Sequence, residues 1–457
     1  MAVAATGLSD QICATLAAIA PADLPDSTLR AAAHVLLDAT GVMLGASGMA
    51  EVQPFVTLAR GAGNGPSAVL GTGVRSTCAG AALANGAMAH ALDYEDAFDL
   101  KPGHPNASLV PALIALAQAE GRISGQRLLA AVAIGCEISC RLSLALRQDM
   151  EVGGWYPPPI YAGLGAAVGA AWLLGLDAAG LRDALSLALC QVTMPGEIKH
   201  SRGTVIRAVR EAFPAQAAVT AALLAREGVA GFEAPLEGKD GFYALYAGGQ
   251  FDPADLLDGL GRSWSIERLT FKPWPSCRGT HPFIEMALDL RERHGIDSAA
   301  VQSIAVSVDD VQQMLVDPLA RKQVPETLID AKFSIPFGVG LALVRGRVDL
   351  DSFTVAALTD PAVLAVAGKV TAAIAPDAAW QRGSGGALRI RLADGREFSA
   401  EVDNARGCPA RPLSTAELVA KFVDCAGRAT HPPADSAALA AQILGIAGNA
   451  DAGAVFA

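Results

Sequence analysis

Apolar residues recur at three- and four-residue spacing along most of the first 265 positions, without the alternation that marks strands. The segments that carry this spacing are each long enough for a helix, and Gly and Pro punctuate the joins between them. The pattern therefore predicts a succession of helices, which is clearest at 32–45, 78–92, 108–121, 125–147, 181–191 and 213–228.

The pattern changes beyond residue 265. Apolar and polar residues alternate over 301–310, which predicts a strand, and they alternate again over 387–403. Asp394-Gly395 lies in the middle of the second segment and is typical of a hairpin turn. Two helical segments, 278–295 and 351–370, accompany the predicted strands. This part of the chain is therefore expected to mix helix and sheet.

Helical character returns after the predicted hairpin. Ser414 is followed three positions later by Glu417, and this pair is a capping box that begins a helix. The sequence therefore predicts a mainly α fold. It consists of a large all-helical domain, 1–265 with 404–457, and an inserted smaller α+β lid domain, 266–403.

The composition narrows the class of protein. The chain has 457 residues, 52% hydrophobic and 18% charged, so it can bury a large core. Its net charge is −11 and it has no run of Lys and Arg, which argues against a nucleic-acid partner but not against a small anionic substrate. No basic residue precedes Arg30, and the long uncharged run 152–176 is interpreted as a buried core helix. A cytoplasmic protein without a membrane partner is expected.

The eight cysteines are scattered and form neither a disulfide framework nor a zinc ribbon. Cys136 and Cys140 would share a helix face, but further ligands at suitable spacing are not evident. Buried free thiols in a reducing cytosol are therefore expected, and a metal site is not.

One polar stretch, residues 90–108, interrupts the apolar sequence. It places four carboxylates between two imidazoles, namely Asp93, Glu95, Asp96 and Asp99 between His90 and His104. If the helix over 78–92 continued to about residue 99, then His90, Asp93 and Asp96 would lie on one stripe of it.

His104 follows in a loop, just before a new helix that Asn106 could cap. A helix N-terminus favours the neutral form of a nearby His, which suits a general base. A partly buried Asp could orient that imidazole or take a proton itself. The stretch is therefore a candidate proton-transfer site, and the alternative is a solvated helix end with ordinary surface acids.

Two further segments carry cationic groups. Lys272 lies beside two X-Pro units and could anchor an anion, although proline-rich linkers are also common at domain borders. The segment 199–211 is a dense basic cluster, suited to bidentate carboxylate binding or, alternatively, to a solvated helix face. Its members are Lys199, His200, Arg202, Arg207 and Arg210. Together, these groups and the acid–base stretch could abstract a proton next to a carboxylate and hold the resulting enediolate.

Several separated motifs resemble the MmgE/PrpD family, in order and over essentially the whole chain. They are HALDYED with HPNASLVPAL, KPWPSC with THPFIEMAL, DAKFSIPFGVGLAL and RPLSTAELVAKF. The resemblance implies an active site between two domains, a homodimer, and small polycarboxylate substrates handled without a metal or an organic cofactor. By motif position, it implies that Asp93, His104 and Lys272 are active-site residues.

The chain departs from the family pattern at several polar positions. Tyr156 stands where a His is usual, and Arg207 and Arg210 stand where Lys and His are usual. Ala97 replaces a Thr, and Phe337 replaces a Tyr. Because Arg does not readily lose a proton, Arg207 can bind an anion but cannot shuttle protons.

The favoured hypothesis is a cofactor-free carbon–oxygen lyase, a dehydratase that removes a proton alpha to a carboxylate of a small di- or tricarboxylate. His104 would be the base, and Asp93 would orient it or act as the partner acid. Tyr156 could donate a proton, and Lys272 would be one of the cations that bind the substrate carboxylates. The other substrate-binding candidates are Arg207, Arg210, Asp96, Lys199 and His200.

Three alternatives stay open at the level of the sequence. An epimerase or isomerase of an amino- or hydroxy-dicarboxylate shares the first proton transfer with a dehydratase. A non-catalytic carboxylate-binding homologue would bind a ligand without proton exchange. A helical scaffold without a pocket would keep the acidic stretch and the basic cluster far apart.

Overall fold

The computed structural model describes residues 7–101, 103–201, 204–375, 379–380 and 382–457. By internal packing the chain forms two compact units. The helical unit contains Met1–Ala91, Glu95–Leu269 and Ser414–Ala457, and the second unit contains Leu92–Tyr94 and Thr270–Leu413. The domain limits after residues 265 and 403 stay a prediction.

The described chain up to residue 269 is dominated by helices. Gly and Pro lie at many of the helix ends, as the sequence indicates. The helices are α1 (Leu8–Ala17), α2 (Asp26–Ala46), α3 (Gln53–Gly61), α4 (Cys78–Ala91), α5 (Asn106–Glu120), α6 (Gly125–Leu144), α7 (Pro157–Leu174), α8 (Ala178–Leu189), α9 (Ile206–Val209), α10 (Ala212–Arg226), α11 (Phe242–Ala247) and α12 (Pro253–Leu257).

Helix α7 covers the long uncharged run and is buried along nearly its whole length, as expected of a core helix. Its glycines let α6 approach closely, because a Cβ at Gly165 would lie 2.5 Å from the carbonyl oxygen of Gly135. Because the residues at this contact are small, the backbones of the two helices touch directly, without side chains packed between them. The Ala- and Gly-rich composition is thus used where helices meet.

A short antiparallel hairpin interrupts the helices, β1 (Ser67–Val69) with β2 (Val74–Ser76). The expectation of helices alone before residue 265 is wrong at this point. Each strand has only three residues, too few to show a period of two in the sequence. Gly71 and Gly73 form the turn with φ of +67° each, a backbone conformation that glycine adopts without strain.

The second unit combines helices with a four-stranded sheet. Its helices are α13 (His281–His294), α14 (Leu319–Gln323), α15 (Leu328–Lys332), α16 (Ile335–Arg345), α17 (Val355–Leu358) and α18 (Pro361–Ala367). Its strands are β3 (Val301–Val308), β4 (Val370–Ile374), β5 (Gly386–Leu392) and β6 (Glu397–Val402). The strand order is β4-β3-β5-β6, in which β3 and β4 are parallel and the other neighbours antiparallel.

The strands show the alternation of buried and exposed positions that the sequence pattern predicts. Ile304 and Ile390 are paired across β3 and β5, and both are fully buried. The predicted hairpin over 387–403 is confirmed, and Gly395 in its turn has a φ of +89°. The apolar face of the sheet packs in a core with Phe283 and Leu341, which lie on α13 and α16.

The chain ends in helices α19 (Thr415–Ala426) and α20 (Ser436–Leu444) of the helical unit. The predicted capping box is confirmed, since Ser414 and Glu417 each bind the other's backbone N–H. Lys421 of α19 forms an ion pair with buried Asp38 of α2, with 2.7 Å between Nζ and Oδ1. The fold class is therefore mainly α, as the sequence predicts.

Within the described ranges, α2 is the one helix long and apolar enough to cross a membrane. Of its most apolar window, 72% is buried inside the protein. A core helix of a large helical unit passes the same test of length and composition. The many buried apolar residues of α2, such as Val35, Leu36 and Val42, agree with this core position.

Candidate active site

The polar stretch does not continue α4 as a helix. The helix ends at Ala91, and Asp93 takes a φ of +50°, which a right-handed helix does not allow. The predicted stripe of His90, Asp93 and Asp96 is therefore wrong. The backbone instead turns after the helix, so that neighbouring acidic residues point to different partners.

Glu95 lies between two imidazoles in the helical unit. Its Oε1 is hydrogen-bonded to Nδ1 of His90, which lies in the last turn of α4. The same oxygen lies 2.9 Å from Nδ1 of His104. His90 and Glu95 are fully buried, and 14% of the His104 side chain is exposed. The two rings lie 5.1 Å apart between centroids. Glu95 is thus a carboxylate next to His104, and the expected role of Asp93 stays a prediction.

A second acceptor faces the same nitrogen of His104. The backbone carbonyl of Asp96 lies 2.9 Å from Nδ1. A carbonyl oxygen and an ionised carboxylate can only accept hydrogen bonds. Nδ1 of His104 must therefore carry the proton that it donates to them. The neutral ring then has its lone pair on Nε2. Among the described residues, the structure records no hydrogen bond to this Nε2.

The side chain of Asp96 turns away into the protein interior and is fully buried. Nδ2 of Asn106 donates to its Oδ2 at 2.8 Å. Asn106 is the first residue of α5 and Pro105 occupies the N-cap, so the predicted cap by Asn106 is wrong. The amide instead holds Asp96, which makes Asp96 a buried internal group.

Burial dominates the electrostatics of Asp96. It raises the pKa of this carboxyl to about 7, against the lowering effect of the Asn106 hydrogen bond, and the charge of Asp38 raises the pKa further. The unfolded chain therefore releases this proton at a lower pH than the folded chain. The resulting contribution to stability is fully present below about pH 4 and is lost as the pH rises to about 7.

Replacing Asp96 by asparagine is expected to stabilise the protein at pH 8 and to change little near pH 4. The amide of the new asparagine does not ionise, so the variant avoids the cost of ionising a buried carboxyl at pH 8. The shift of the Asp96 pKa limits this gain to roughly 4 kcal/mol. Thermal unfolding of both proteins across this pH range measures the difference. The control is Asp240→Asn, because Asp240 is exposed. Its melting temperature should equal that of the parent protein at each pH. A D96N variant whose stability relative to the parent is independent of pH would contradict the argument.

A second buried group surrounds Arg210, also in the helical unit. Its Nε donates to Oε1 of Glu211 at 3.1 Å, and its guanidinium lies 5.0 Å from the ring centre of Tyr156. Ser108 donates to the other oxygen of Glu211 at 2.5 Å. Arg210 is fully buried, and its charge is balanced by its sequence neighbour.

Tyr161 lies close to both groups. A Cβ at Gly103 would lie 3.0 Å from its hydroxyl, which places the tyrosine against the residue preceding His104. Burial raises the pKa of Tyr161 well above its ordinary range, and Tyr156, Arg210 and Glu211 are near enough to act on it electrostatically. Tyr161 is therefore neutral, and its hydroxyl proton stays on.

The remaining basic residues do not form one patch. Nζ of Lys199 lies 2.7 Å from Oε2 of Glu151, and His200 is exposed to solvent. Arg207 is half-buried on α9, and Arg202 lies outside the described residues. The roles of Lys199, His200 and Arg207 in substrate binding stay predictions.

In the second unit, Lys272 is bound to Asp93. Its fully buried Nζ donates to Oδ1 of Asp93 at 2.6 Å and to the backbone oxygen of Asp93 at 3.0 Å. Two more contacts hold the adjoining residues: the Tyr94 hydroxyl donates to the Pro273 carbonyl at 3.0 Å, and Lys332 donates to the Leu92 carbonyl at 2.7 Å. These contacts explain why Leu92–Tyr94 pack with the second unit.

His281 is a further buried imidazole of this unit. Its Nε2 donates to the carbonyl of Ser276 at 3.1 Å. Burial lowers the pKa of His281 well below its ordinary range, and the nearby cations of Arg278 and Lys272 lower it further. His281 is therefore neutral and contributes no charge beside Lys272.

Several of these groups were not among the sequence-derived candidates. Glu95 and His90 belong to the polar stretch of residues 90–108, but spacing does not distinguish them from the other acids and the other imidazole. Glu211 and Tyr161 had no signal of their own, because ordinary helices contain such residues on any face. Asn106 was expected to cap a helix and not to hold Asp96. Only their tertiary contacts single them out.

Known proteins resemble the chain over most of its length. It is 27% identical over 385 residues to the cis-aconitate decarboxylase-like protein oryM of Aspergillus oryzae, covering 79% of this chain and 78% of that protein. It is 27% identical over 357 residues to human cis-aconitate decarboxylase, covering 75% and 71%. It is 23% identical over 448 residues to cis-aconitate decarboxylase of Aspergillus terreus, covering 93% and 91%.

Two domain families match the chain in succession. The MmgE/PrpD N-terminal domain matches residues 10–254, which include the polar stretch and the Arg210 group. The MmgE/PrpD C-terminal domain matches residues 274–444, which begin just after Lys272. The two matches together cover most of the chain in the order that the motifs indicate, and the protein therefore belongs to the MmgE/PrpD family.

Proposed function

We propose that this protein is a lyase that acts on a small di- or tricarboxylate by proton transfer at a carbon next to a carboxylate. Family membership and the relatives support a carboxylate-processing enzyme. The relatives' names describe lyase chemistry on a tricarboxylate. In the proposal, Nε2 of His104 is the atom that exchanges the proton with the substrate carbon.

The observation that carries the proposal is the pair of acceptors at Nδ1 of His104. The Asp96 carbonyl and the Glu95 carboxylate each lie 2.9 Å from that nitrogen. The proton on Nδ1 leaves a lone pair on Nε2, the requirement for a general base. His104 is also the partly exposed imidazole of the pair, whereas His90 is fully buried.

The substrate charges need cationic partners, and half-buried Arg207 is the candidate that we retain. Lys272 and Arg210 are weaker candidates for anchors, because Asp93 and Glu211 already balance their charges. The contact of Arg210 with the Tyr156 ring suggests instead that Arg210 places Tyr156. Asp96 is removed from the proposed substrate contacts because its side chain is buried against Asn106.

Two lyase reactions are compatible with this arrangement. In dehydration, His104 takes the proton alpha to a carboxylate, the C–H electron pair forms the double bond, and the hydroxyl of the adjacent carbon takes a proton from Tyr156 and leaves as water. In decarboxylation, the bond to the carboxylate breaks, carbon dioxide leaves, and the electron pair is protonated by the imidazolium form. The sequence favours the first and the names of the relatives favour the second.

Proton NMR in D₂O tests the proposal. The protein is incubated with citrate, 2-methylcitrate, cis-aconitate, tartrate or iminodisuccinate, and the alpha-proton signals are followed. New vinyl signals without bicarbonate identify dehydration, and released bicarbonate, followed by carbon-13 NMR, identifies decarboxylation whether or not vinyl signals appear. Deuterium uptake without either identifies an epimerase. Line broadening of one acid without any proton exchange would contradict the proposal and favour a non-catalytic binding protein.

Removing metal ions is expected to leave turnover unchanged. His90, Glu95 and His104 are residue types that can hold a metal ion. However, Nδ1 of His90 and Nδ1 of His104 both face Oε1 of Glu95, and a metal ion held between these three atoms would have to displace the protons of the two nitrogens. Turnover is measured before and after dialysis against EDTA, with metal content determined by mass spectrometry. Activity that is lost with EDTA and restored by Zn²⁺ would contradict this expectation.

A further inference from the structure

We infer that Glu95 and His90 act together as positioning residues, which hold His104 in the Nδ1–H tautomer and stabilise its imidazolium during turnover. The inference rests on the proposed function, in which Nε2 of His104 exchanges the substrate proton. The sequence places both residues in the polar stretch but gives neither of them a role of its own.

The contact geometry assigns each of the three residues a distinct part. His90 is fixed in the last turn of α4, so its ring position follows from the helix. Glu95 lies five residues later in the loop, and its Oε1 accepts from His90 Nδ1. The same oxygen faces Nδ1 of His104 at 2.9 Å. His90 therefore holds the carboxylate, and the carboxylate holds the reacting imidazole.

The Asp96 carbonyl alone cannot replace Glu95. Both groups favour a proton on Nδ1, so either one could select the tautomer. When Nε2 takes a proton, however, the ring becomes a cation, and a buried carboxylate stabilises it far more than a neutral carbonyl. The charge of Glu95 is thus needed in the transition state, and its loss should affect kcat more than KM.

His90 keeps the carboxylate in this orientation. A glutamate side chain has several rotamers, and one that turned away would leave the cation on His104 without its partner. The hydrogen bond from His90 restricts Glu95 to the rotamer that faces His104. A side chain that preserves this single N–H donor should therefore preserve most of the activity.

The experiment compares four variants in the full-length protein. Glu95→Gln keeps the size of the side chain and removes its charge. His90→Asn keeps a donor at the place of Nδ1, because the asparagine amide nitrogen occupies nearly that position, and His90→Leu removes the donor. Glu227→Gln is the control, since Glu227 is an exposed residue of the helical unit. Turnover is followed with the acid that the D₂O assay identifies.

We expect Glu95→Gln to lower kcat by roughly 10²- to 10⁴-fold with a small change in KM. His90→Leu should lower kcat by at least about tenfold, and His90→Asn should recover most of that loss. Glu227→Gln should match the parent protein. A Glu95→Gln variant with parental kcat, or a His90→Asn variant as impaired as His90→Leu, would overturn the inference.

Nitrogen-15 NMR of the imidazoles provides a readout that does not depend on turnover. The parent protein should show His104 as the Nδ1–H tautomer, assigned by comparison with a His104→Asn sample. In Glu95→Gln, the amide can donate to Nδ1, so a share of His104 should convert to the Nε2–H tautomer. An Nε2–H tautomer in the parent protein would overturn the inference even if a variant failed to fold.

The two proposals fail in different ways. If His104→Asn keeps parental turnover, the proposed base is wrong, whatever tautomer the spectra show. If His104→Asn is inactive but Glu95→Gln keeps both turnover and the Nδ1–H tautomer, the base stands and the positioning role is overturned.

Discussion

Replacing His104 by asparagine is expected to lower kcat by roughly 10²- to 10⁴-fold while the protein remains folded. The asparagine amide nitrogen can occupy the place of Nδ1 and donate to the Asp96 carbonyl and to Glu95, both of which lie 2.9 Å from that atom. What the variant lacks is Nε2, the nitrogen with the lone pair. The substitution therefore separates the base from the hydrogen bonds that hold the loop.

The measurement is kcat and KM with the acid identified by NMR, together with a thermal melt. His431→Asn is the matched control, because His431 is an exposed histidine of the same unit and is not a candidate site residue. It should retain parental turnover. A His104→Asn variant that also retains parental turnover would show that another group exchanges the proton.

Replacing Lys272 by methionine is expected to destabilise the protein by about 3–5 kcal/mol. Lys272 and Asp93 are both almost completely buried, with 2.6 Å between Nζ and Oδ1. Methionine keeps much of the length of the side chain but leaves the Asp93 carboxylate without its cation in a site closed to water. Urea denaturation of parent and variant measures the loss in free energy of unfolding.

Arg293→Met is the control for Lys272→Met, since Arg293 forms an exposed ion pair with Asp289 in the same unit. Exposed pairs contribute about 1 kcal/mol or less. The double variant Asp93→Asn with Lys272→Met should recover part of the stability, because it removes the unpaired charge. If Lys272→Met were no more damaging than Arg293→Met, the buried pair would not stabilise the second unit.

Local patterns in the sequence were sufficient for most of the fold. Helix α7, the strand at Ile304 and the capping box at Ser414 each depend on neighbours within a few residues, and each was predicted. The errors lie where the pattern is short or where the chain turns. The β1–β2 hairpin has three-residue strands, and the end of α4 at Ala91 depends on the conformation of the residues that follow it.

The candidate site was predictable as a region but not as a set of contacts. Residue types identified the stretch from His90 to His104, because acids and imidazoles are rare in the surrounding apolar sequence. Spacing could not separate Asp93 from Glu95, which lie two positions apart. The structure separates them by their partners, Lys272 for Asp93 and the two imidazoles for Glu95.

The sequence by itself determined the mainly α class, the family motifs and the presence of acid–base chemistry in one stretch. These features follow from periodicity and residue type, which are local properties of the chain. Only the tertiary structure decided which atoms meet: Glu95 with His104, Arg210 with Glu211, and Asp96 with Asn106. The direction of each side chain depends on backbone turns such as that at Asp93, and its charge state depends on burial by distant segments, as for Asp96 beside Asp38. Neither the direction nor the burial is encoded in the spacing of residues.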